Sequence, residues 1–294
     1  MFSKIIFYSH FHNGDVHVSR TFVRDIIAQF PNMSYEYWHR NHPDVLKDIK
    51  QLKSYYGLLD ELKTPGVESR GSWVDSGKLY INTWYCASHG RHYGAHGTTI
   101  SCLYNLFSEL KQYGFNLRNI TEYVPYIDFN ALNVFGLDEW IKSRKLVFIS
   151  NGEVNSGQSN NFDMNPTITE LANEFPGITF LVSNFEDQLK LDNVIYTRQL
   201  IRKYCGELRF DLNENGYLIT KSRLVIHRCS GAAVFGINKL SIDNKVYFLS
   251  LADSNMNGIH DFGLNSVLPN PLFDVCAVHN KQKMLDAVYC HTRD

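Results

Sequence analysis

The 294-residue sequence lacks several features that would quickly assign it to a class of protein. Its six cysteines are widely spaced and include no C-x-x-C pair, so reduced structural thiols are expected rather than a disulfide framework. No apolar run approaches the roughly 20 residues that a membrane helix needs. The N-terminus has the pattern of a strand rather than of a signal peptide. We therefore expect a soluble, cytoplasmic protein without a transmembrane segment.

The sequence also lacks an excess of charge of either sign. It has 29 Lys and Arg residues against 30 Asp and Glu residues, with no long run of either kind. A protein dedicated to nucleic acid would carry a basic patch or stripe. The balance therefore argues against nucleic acid as a partner and favours a ligand that is recognised locally in a cleft. The length suits one large α/β domain or, more in keeping with the pattern, two.

Residues 4–20 predict a strand, a polar turn and the start of a helix. Ile5 to Tyr8 form a short apolar run typical of a buried strand, and apolar residues from Val18 to Phe30 recur at helical spacing. In open α/β sheets, ligands bind at the carboxyl ends of the strands, where this turn is predicted to lie. The polar side chains of the turn are therefore candidate site residues: His10, His12, Asp15, His17 and Arg20.

Two roles are open for Asp15. It follows Gly14 at the predicted turn, where a carboxylate commonly caps the next helix. A carboxylate flanked by His12, His17 and Arg20 is also suited to act as a general base, oriented by hydrogen bonds. The sequence does not decide between the two.

Strand and helix patterns alternate along the rest of the chain, which predicts two parallel-sheet domains with a boundary near residue 143. The first half is predicted to contain strands at 33–39 and 77–87, helices at 42–63 and 98–113, and a helical connection at 123–145. The second half is predicted to contain strands at 145–152, 178–183, 193–197, 223–227 and 245–251, a helix at 167–174 and a final helix at 284–289. That last helix could pack back on the first domain.

A second polar turn, 88–97, contains three histidines at spacings of three and four. His89, His92 and His96 would share a helix face and could bind zinc, but Gly90 and its neighbouring glycines argue against a regular helix. A glycine-rich loop in which Arg91 and the histidines contact a sugar or phosphate is favoured over a metal site. A purely structural loop is an equal alternative.

Two turns of the second half are candidates for anion or nucleotide binding. The loop 152–161 matches neither the Walker A nor the G-x-G-x-x-G pattern, but its small residues allow close approach of a ligand, and Ser156, Gln158, Ser159 and Asn160 supply neutral hydrogen-bond donors. A solvated surface loop is the alternative.

Near the end of the strand at 223–227, Arg228, Ser230 and Gly231 precede an apolar helix and form an anion site suited to a diphosphate. A glycine needed only for the turn is the alternative there.

With these residues placed, the chain resembles two-domain, nucleotide-sugar-dependent glycosyltransferases of the GT-B type and, distantly, the family 9, heptosyltransferase-like members. The first strand of that family ends in a Gly-Asp turn, as at Gly14-Asp15, and its second domain carries a late Ser-Gly turn, as at Ser230-Gly231. The chain departs from the family 9 pattern at 229–232, where it has Cys-Ser-Gly-Ala instead of Asp-Ser-Gly-Pro, and in the loop 152–161, which has no Lys.

The resemblance implies an α/β fold of two Rossmann-like domains facing across a cleft. Residues 1–143 would hold a glycan or other hydroxyl acceptor, and residues 144–294 a nucleoside diphosphate sugar as co-substrate, with no further cofactor and no metal. An inverting transfer would use Asp15 as the general base, assisted by His12 and His17. The donor would contact Ser156, Gly157, Gln158, Ser159, Asn160, Arg228, Ser230 and Gly231, and the acceptor would contact His10, Arg20, His89, Arg91 and His92. A histidine-rich, metal-dependent hydrolase and a non-catalytic nucleotide- or glycan-binding protein are the alternatives.

Overall fold

The computed structural model describes residues 2–67, 70–83, 110–116, 124–153, 161–184, 188–228, 231–252 and 272–293. The chain divides into two compact units, Met1–Leu132 and Asn133–Asp294. Each unit is built on a mainly parallel sheet with helices, so the predicted α/β fold class of two Rossmann-like domains is confirmed. Residues 133–143, which the sequence analysis places in the first domain, belong to the second unit.

The first unit contains a five-stranded sheet in the order β3-β2-β1-β5-β4. The strands are β1 (Lys4–Ser9), β2 (Ser34–His39), β3 (Leu52–Tyr56), β4 (Ser72–Asp75) and β5 (Lys78–Asn82). All neighbours are parallel except β4 and β5, which are antiparallel. Two α-helices follow β1 directly: α1 (Asn13–Val18) and α2 (Arg20–Gln29). The strand and the helix predicted at the N-terminus are thus confirmed, whereas the second half of the predicted polar turn is itself the helix α1.

The predicted helix at 42–63 is wrong. The segment contains a 3-10 helix (Pro43–Leu46), the edge strand β3 and a second 3-10 helix (Asp60–Lys63). Its apolar residues at helical spacing come from different elements, since Val45 belongs to a 3-10 turn and Leu52 to a strand, and both are buried. Short turns that bury one residue each can imitate the period of a helix.

The second unit contains a six-stranded, fully parallel sheet in the order β11-β10-β9-β6-β7-β8. Its strands are β6 (Leu146–Ser150), β7 (Thr179–Ser183), β8 (Val194–Tyr196), β9 (Leu224–His227), β10 (Tyr247–Ala252) and β11 (Phe273–Ala277). Its helices are α3 (Asp138–Ile141), α4 (Asn165–Glu174), α5 (Thr197–Cys205), α6 (Leu212–Thr220), α7 (Gly231–Gly236), α8 (Lys239–Asp243) and α9 (Lys281–Thr292). The strands predicted in this half are confirmed as β6 to β10, whereas β11, α5 and α6 were not predicted.

One face of the second sheet forms a continuous core with helices α4 and α9. Ile149, Val182 and Ile226 lie in register on neighbouring strands and are fully buried in this core. Met284 and Val288 of α9 are buried in the same cluster, so the final helix packs on the sheet of its own unit. Of the helices in the described residues, none has both the length and the apolar character required to span a bilayer.

Most of the predicted helix at 98–113 and part of the predicted connection at 123–145 lie outside the described residues. The described part of the connection contains two short 3-10 helices, Phe129–Ala131 and Phe135–Leu137, followed by α3. The connection is therefore helical only in short turns.

Candidate functional site

The carboxyl edge of the first sheet brings together residues from three neighbouring strands. Ser9 of β1 pairs with His39 of β2, and His39 pairs with Tyr56 of β3. Because these strands are parallel, the loops that follow them leave the sheet at the same edge. The loop after β1 leads into α1, so Gly14 and Asp15, in the first turn of that helix, lie at this edge, as the sequence predicts.

Asp15 is the third residue of α1, and it caps that helix. Its Oδ2 atom accepts a hydrogen bond of 2.9 Å from the backbone N–H of His12, the N-cap residue, and so satisfies one of the free donors of the first turn. The side chain of Asp15 remains partly exposed, and His12 is exposed. The capping role is thus observed, and it also fixes the orientation of a carboxylate that solvent can reach.

Two predicted site residues are not open to an acceptor. His17 is fully buried within α1. Arg20 is also fully buried; its guanidinium forms an ion pair with Asp48 and donates a hydrogen bond to the carbonyl oxygen of Val45. The predictions that His17 assists catalysis and that Arg20 binds the acceptor are corrected, because both side chains are inside the first unit.

The carboxylate of Asp48 joins two guanidinium groups inside this unit. Besides Arg20, it contacts Nη2 of Arg24 at 2.6 Å and accepts the backbone N–H of Asp128 at 3.1 Å. Burial alone would raise the pKa of Asp48, but the two arginines and this N–H outweigh burial and lower it. The cluster therefore ties α2 to residues 45–48 and to residue 128, and its role is structural.

His39 is buried and forms several hydrogen bonds at the carboxyl edge of the first sheet. Its Nδ1 accepts the backbone N–H of Asn41 at 3.1 Å, its Nε2 lies 2.8 Å from Ser54 Oγ, and its carbonyl oxygen accepts the N–H of Gly57 at 2.8 Å. Since Nδ1 accepts, the neutral ring carries its proton on Nε2 and donates to Ser54. Burial, with a smaller contribution from His42, lowers the pKa of His39 to about 4.

Asn41 connects His39 to the loop before Asp15. Its Nδ2 donates a hydrogen bond of 2.7 Å to the carbonyl oxygen of Phe11, and the N–H of Phe11 donates to Ser9 Oγ at 3.3 Å. The backbone between β1 and α1 is therefore held from both sides. His39 and Asn41 were not predicted as site residues. The polar run 39–42 nevertheless follows a correctly predicted strand, as the polar residues after the first strand do, and that position could have indicated them.

Tyr37 anchors the other end of α1. Its hydroxyl lies 3.2 Å from Ser19 Oγ and 2.6 Å from Thr83 Oγ1, and Ser19 Oγ in turn donates to the carbonyl oxygen of Val16 at 2.8 Å. Burial raises the pKa of Tyr37 to about 12, so the phenol stays protonated at neutral pH. Its hydroxyl connects Ser19 and Thr83 through hydrogen bonds.

In the second unit, a row of polar side chains lies at or near the carboxyl end of each of four adjacent strands. Ser150 of β6 pairs with Ser183 of β7 and with His227 of β9, and His227 pairs with Ser250 of β10. All four are buried. The segments that follow them include most of the predicted donor site, so this sheet edge is where a ligand of the second unit would bind.

Arg228 follows this row and joins the ends of β6 and β9. Nη1 donates to the carbonyl oxygen of Phe162 at 3.0 Å, and Nη2 donates to the carbonyl oxygen of Asn151 at 3.1 Å and to its Oδ1. The guanidinium carbon lies 5.0 Å from the centre of the Phe162 ring. Arg228 is only 5% exposed; burial lowers its pKa, and the charge of Asp163 opposes that change.

Within the described part of the chain, no carboxylate oxygen lies within ion-pair distance of the buried Arg228 guanidinium, and its buried Nε has no hydrogen-bond partner. A buried cation is costly unless an anion or a full set of acceptors compensates it. Here three oxygen acceptors and the charge of Asp163 compensate the guanidinium in part.

Gly231 is the first residue of the six-residue helix α7, and it is exposed. His10, also predicted to contact the acceptor, is partly buried directly after β1. The remaining predicted donor and acceptor residues lie outside the described residues: Ser156, Gly157, Gln158, Ser159, Asn160, Ser230, His89, Arg91 and His92. His96 lies outside them as well. Within the described ranges, no group of three or more His, Cys, Asp or Glu side chains is placed to hold a metal ion.

The sequence matches no protein-family model and no curated protein. The structure is similar to that of a family 9 glycosyl transferase from Veillonella parvula, with a TM-score of 0.54, 9% identity, and coverage of 100% of this chain and 91% of that one. It is also similar to the heptosyltransferase WaaC of E. coli with ADP, with a TM-score of 0.52, 9% identity, and coverage of 98% of both chains. The chain has the fold of these transferases. The likeness spans both units, so the predicted resemblance of fold is confirmed over the whole chain.

Proposed function

We propose that the protein is a glycosyltransferase that transfers a sugar from a nucleoside diphosphate sugar to a hydroxyl group of a glycan or related acceptor. The observation that carries the proposal is the fold, shared over nearly full length with two solved glycosyltransferases, one of them solved with ADP. The chemistry at the two sheet edges agrees with it. An oriented, partly exposed carboxylate lies at one edge, and the buried guanidinium of Arg228 lies at the other.

In the proposed reaction, the second unit binds the donor and Arg228 compensates the charge of its diphosphate. Asp15 removes the proton from the acceptor hydroxyl as the oxygen forms its bond to the anomeric carbon. The bond between that carbon and the diphosphate oxygen breaks, and its electron pair leaves with the nucleoside diphosphate. Attack opposite to the leaving group inverts the anomeric centre. His12 is exposed beside Asp15 and would hydrogen-bond the acceptor.

The proposal includes charge stabilisation by protein groups without a metal ion. Arg228 and backbone N–H groups at the carboxyl edge of the second sheet would stabilise the leaving diphosphate. Turnover that is unchanged after treatment with EDTA supports this part of the proposal. Loss of turnover that Mg²⁺ or Mn²⁺ restores would replace it with a metal-assisted reaction.

Nucleotide binding tests the donor site directly. A ligand at about 100 times its dissociation constant adds about 2.7 kcal/mol of apparent stability. We expect ADP, UDP, GDP or CDP to raise the melting temperature of the wild type, and we expect Arg228→Lys, which keeps the charge but not the planar fork, to reduce that shift. Arg198→Lys, at an exposed position of α5, is the matched control. Failure of all four nucleotides to stabilise the wild type contradicts the proposal.

A further inference from the structure

Phe11 and Tyr56 are exposed aromatic side chains at the edge of the first sheet that carries Asp15. Phe11 is 37% exposed and Tyr56 is 71% exposed. A single apolar side chain on a surface needs no explanation. Phe11, however, lies in the loop after β1 and Tyr56 is the last residue of β3, and the two share one rigid support.

That support is the buried His39. Tyr56 pairs with His39 across the sheet, and Gly57, the next residue, donates its N–H to the His39 carbonyl oxygen at 2.8 Å. The φ angle of Gly57 is +105°, a conformation that favours glycine and turns the chain directly after Tyr56. On the other side, Asn41 links Nδ1 of His39 to the carbonyl oxygen of Phe11. Both aromatic residues are therefore fixed to the same histidine.

The spacing suits a small extended ligand. Ser9 and Tyr56 lie two strands apart, which is about 10 Å at the usual distance between strands. Phe11 follows Ser9 by two residues. The backbone of Tyr56 is thus separated from that of Ser9, two residues before Phe11, by a span comparable to a disaccharide.

The surroundings of the two rings indicate the chemical class of the ligand. His12, next to Phe11 in the sequence, and Arg40, next to His39, are exposed, and Asp15 is partly exposed. Sugars alternate C–H faces, which the negative face of an aromatic ring attracts, with hydroxyl groups that such polar neighbours bind. A protein partner would instead need a large and mostly contiguous surface.

We propose that Phe11 and Tyr56 form a platform that binds carbohydrate, so that the acceptor hydroxyl belongs to a sugar; the role as acceptor site rests on the proposed transferase function. The probe is an array of immobilised oligosaccharides, incubated with the full-length protein without nucleotide. We expect the wild type to be retained by a subset of glycans and Phe11→Ala and Tyr56→Ala to weaken retention by about tenfold each, the effect of losing one stacking contact. Phe135→Ala, which removes an aromatic side chain that is 51% exposed in the second unit, is the matched control and should bind like the wild type.

Retention of both variants at the wild-type level overturns the platform, and so does a wild type that binds no glycan on the array. If the variants change sedimentation behaviour but not glycan retention, the rings form a protein contact instead, and the platform is again overturned. The nucleotide experiment separates this proposal from the transferase proposal. If the variants lose glycan retention but the wild type binds no nucleotide, the carbohydrate site is supported and the proposed transfer reaction is contradicted.

Discussion

His39 should make the stability of the first unit depend on pH. Its ring is buried and neutral, and its pKa is lowered from 6.5 to about 4. Between these two values the unfolded chain binds a proton at this position and the folded chain does not. Stability therefore falls as the pH falls from about 6.5 towards 4, and the contribution of His39 is fully present only above 6.5.

The size of the effect follows from the shift in pKa. One pKa unit corresponds to about 1.4 kcal/mol, so the change from 6.5 to about 4 predicts a loss of about 3 kcal/mol across this window. Protonation of Nδ1 would also remove the acceptor for the N–H of Asn41. The loop that carries Phe11 should therefore loosen in the same pH range.

The assay is urea unfolding between pH 4 and pH 8, followed by tryptophan fluorescence, since Trp38 adjoins His39 in β2. Other groups also titrate, so the informative quantity is the difference in pH dependence between the wild type and His39→Gln. We expect the variant to lose about 3 kcal/mol less than the wild type between pH 6.5 and 4. Identical pH dependence in His39→Gln and the wild type would refute the assignment of a buried neutral histidine.

Three further predictions follow from single contacts. Asp48→Asn leaves the buried Arg20 without its counter-ion and should lower the free energy of unfolding, measured by urea titration, by about 3–5 kcal/mol. Asp60→Asn, at an exposed ion pair with Lys63, should leave the midpoint of the urea titration unchanged. Gly136→Ala places a Cβ atom 2.8 Å from the carbonyl oxygen of Tyr204 and should cost about 1–3 kcal/mol, whereas Gly177→Ala meets no atom within 4 Å; equal melting temperatures of these two variants would contradict the close contact. Asn41→Asp removes the donor to Phe11 and should lower kcat about tenfold with the donor KM unchanged, with the exposed Asn32→Asp as control; a change in donor KM alone would argue against a positioning role.

The sequence predicted the elements whose pattern is strong and local. Strand β1 is an uninterrupted apolar run, and α2 repeats Phe22, Val23 and Ile26 at helical spacing, so both were found. The buried strands of the second sheet, such as β6 and β9, gave the same clear pattern. What was missed has weaker or misleading composition. The first turn of helix α6 contains Asn213, Glu214 and Asn215, polar residues of types that are mostly exposed, yet all three are buried.

The errors at the candidate site come from long-range contacts. Arg20 was assigned to the acceptor because it lies near Asp15 in sequence, but its ion-pair partner Asp48 is 28 residues away. The wrong helix at 42–63 concealed β3, and with it the register that places Tyr56 beside His39. Spacing along the chain gave the position of Asp15 at a strand end, but it could not give the partners that other strands bring to that end.

Turnover by the Asp15→Asn variant tests the central claim most directly. Asn Oδ1 can still accept the N–H of His12, so this change keeps the cap of α1 and removes only the ability to take up a proton. The measurement is release of nucleoside diphosphate from a panel of nucleotide sugars in the presence of glycan acceptors, detected by mass spectrometry together with the glycosylated product. The proposal predicts product with the wild type and a loss of about 10²–10⁴-fold in the variant, with its melting temperature and nucleotide binding unchanged. Wild-type turnover in Asp15→Asn would leave Asp15 as a helix cap only and contradict its role as the base.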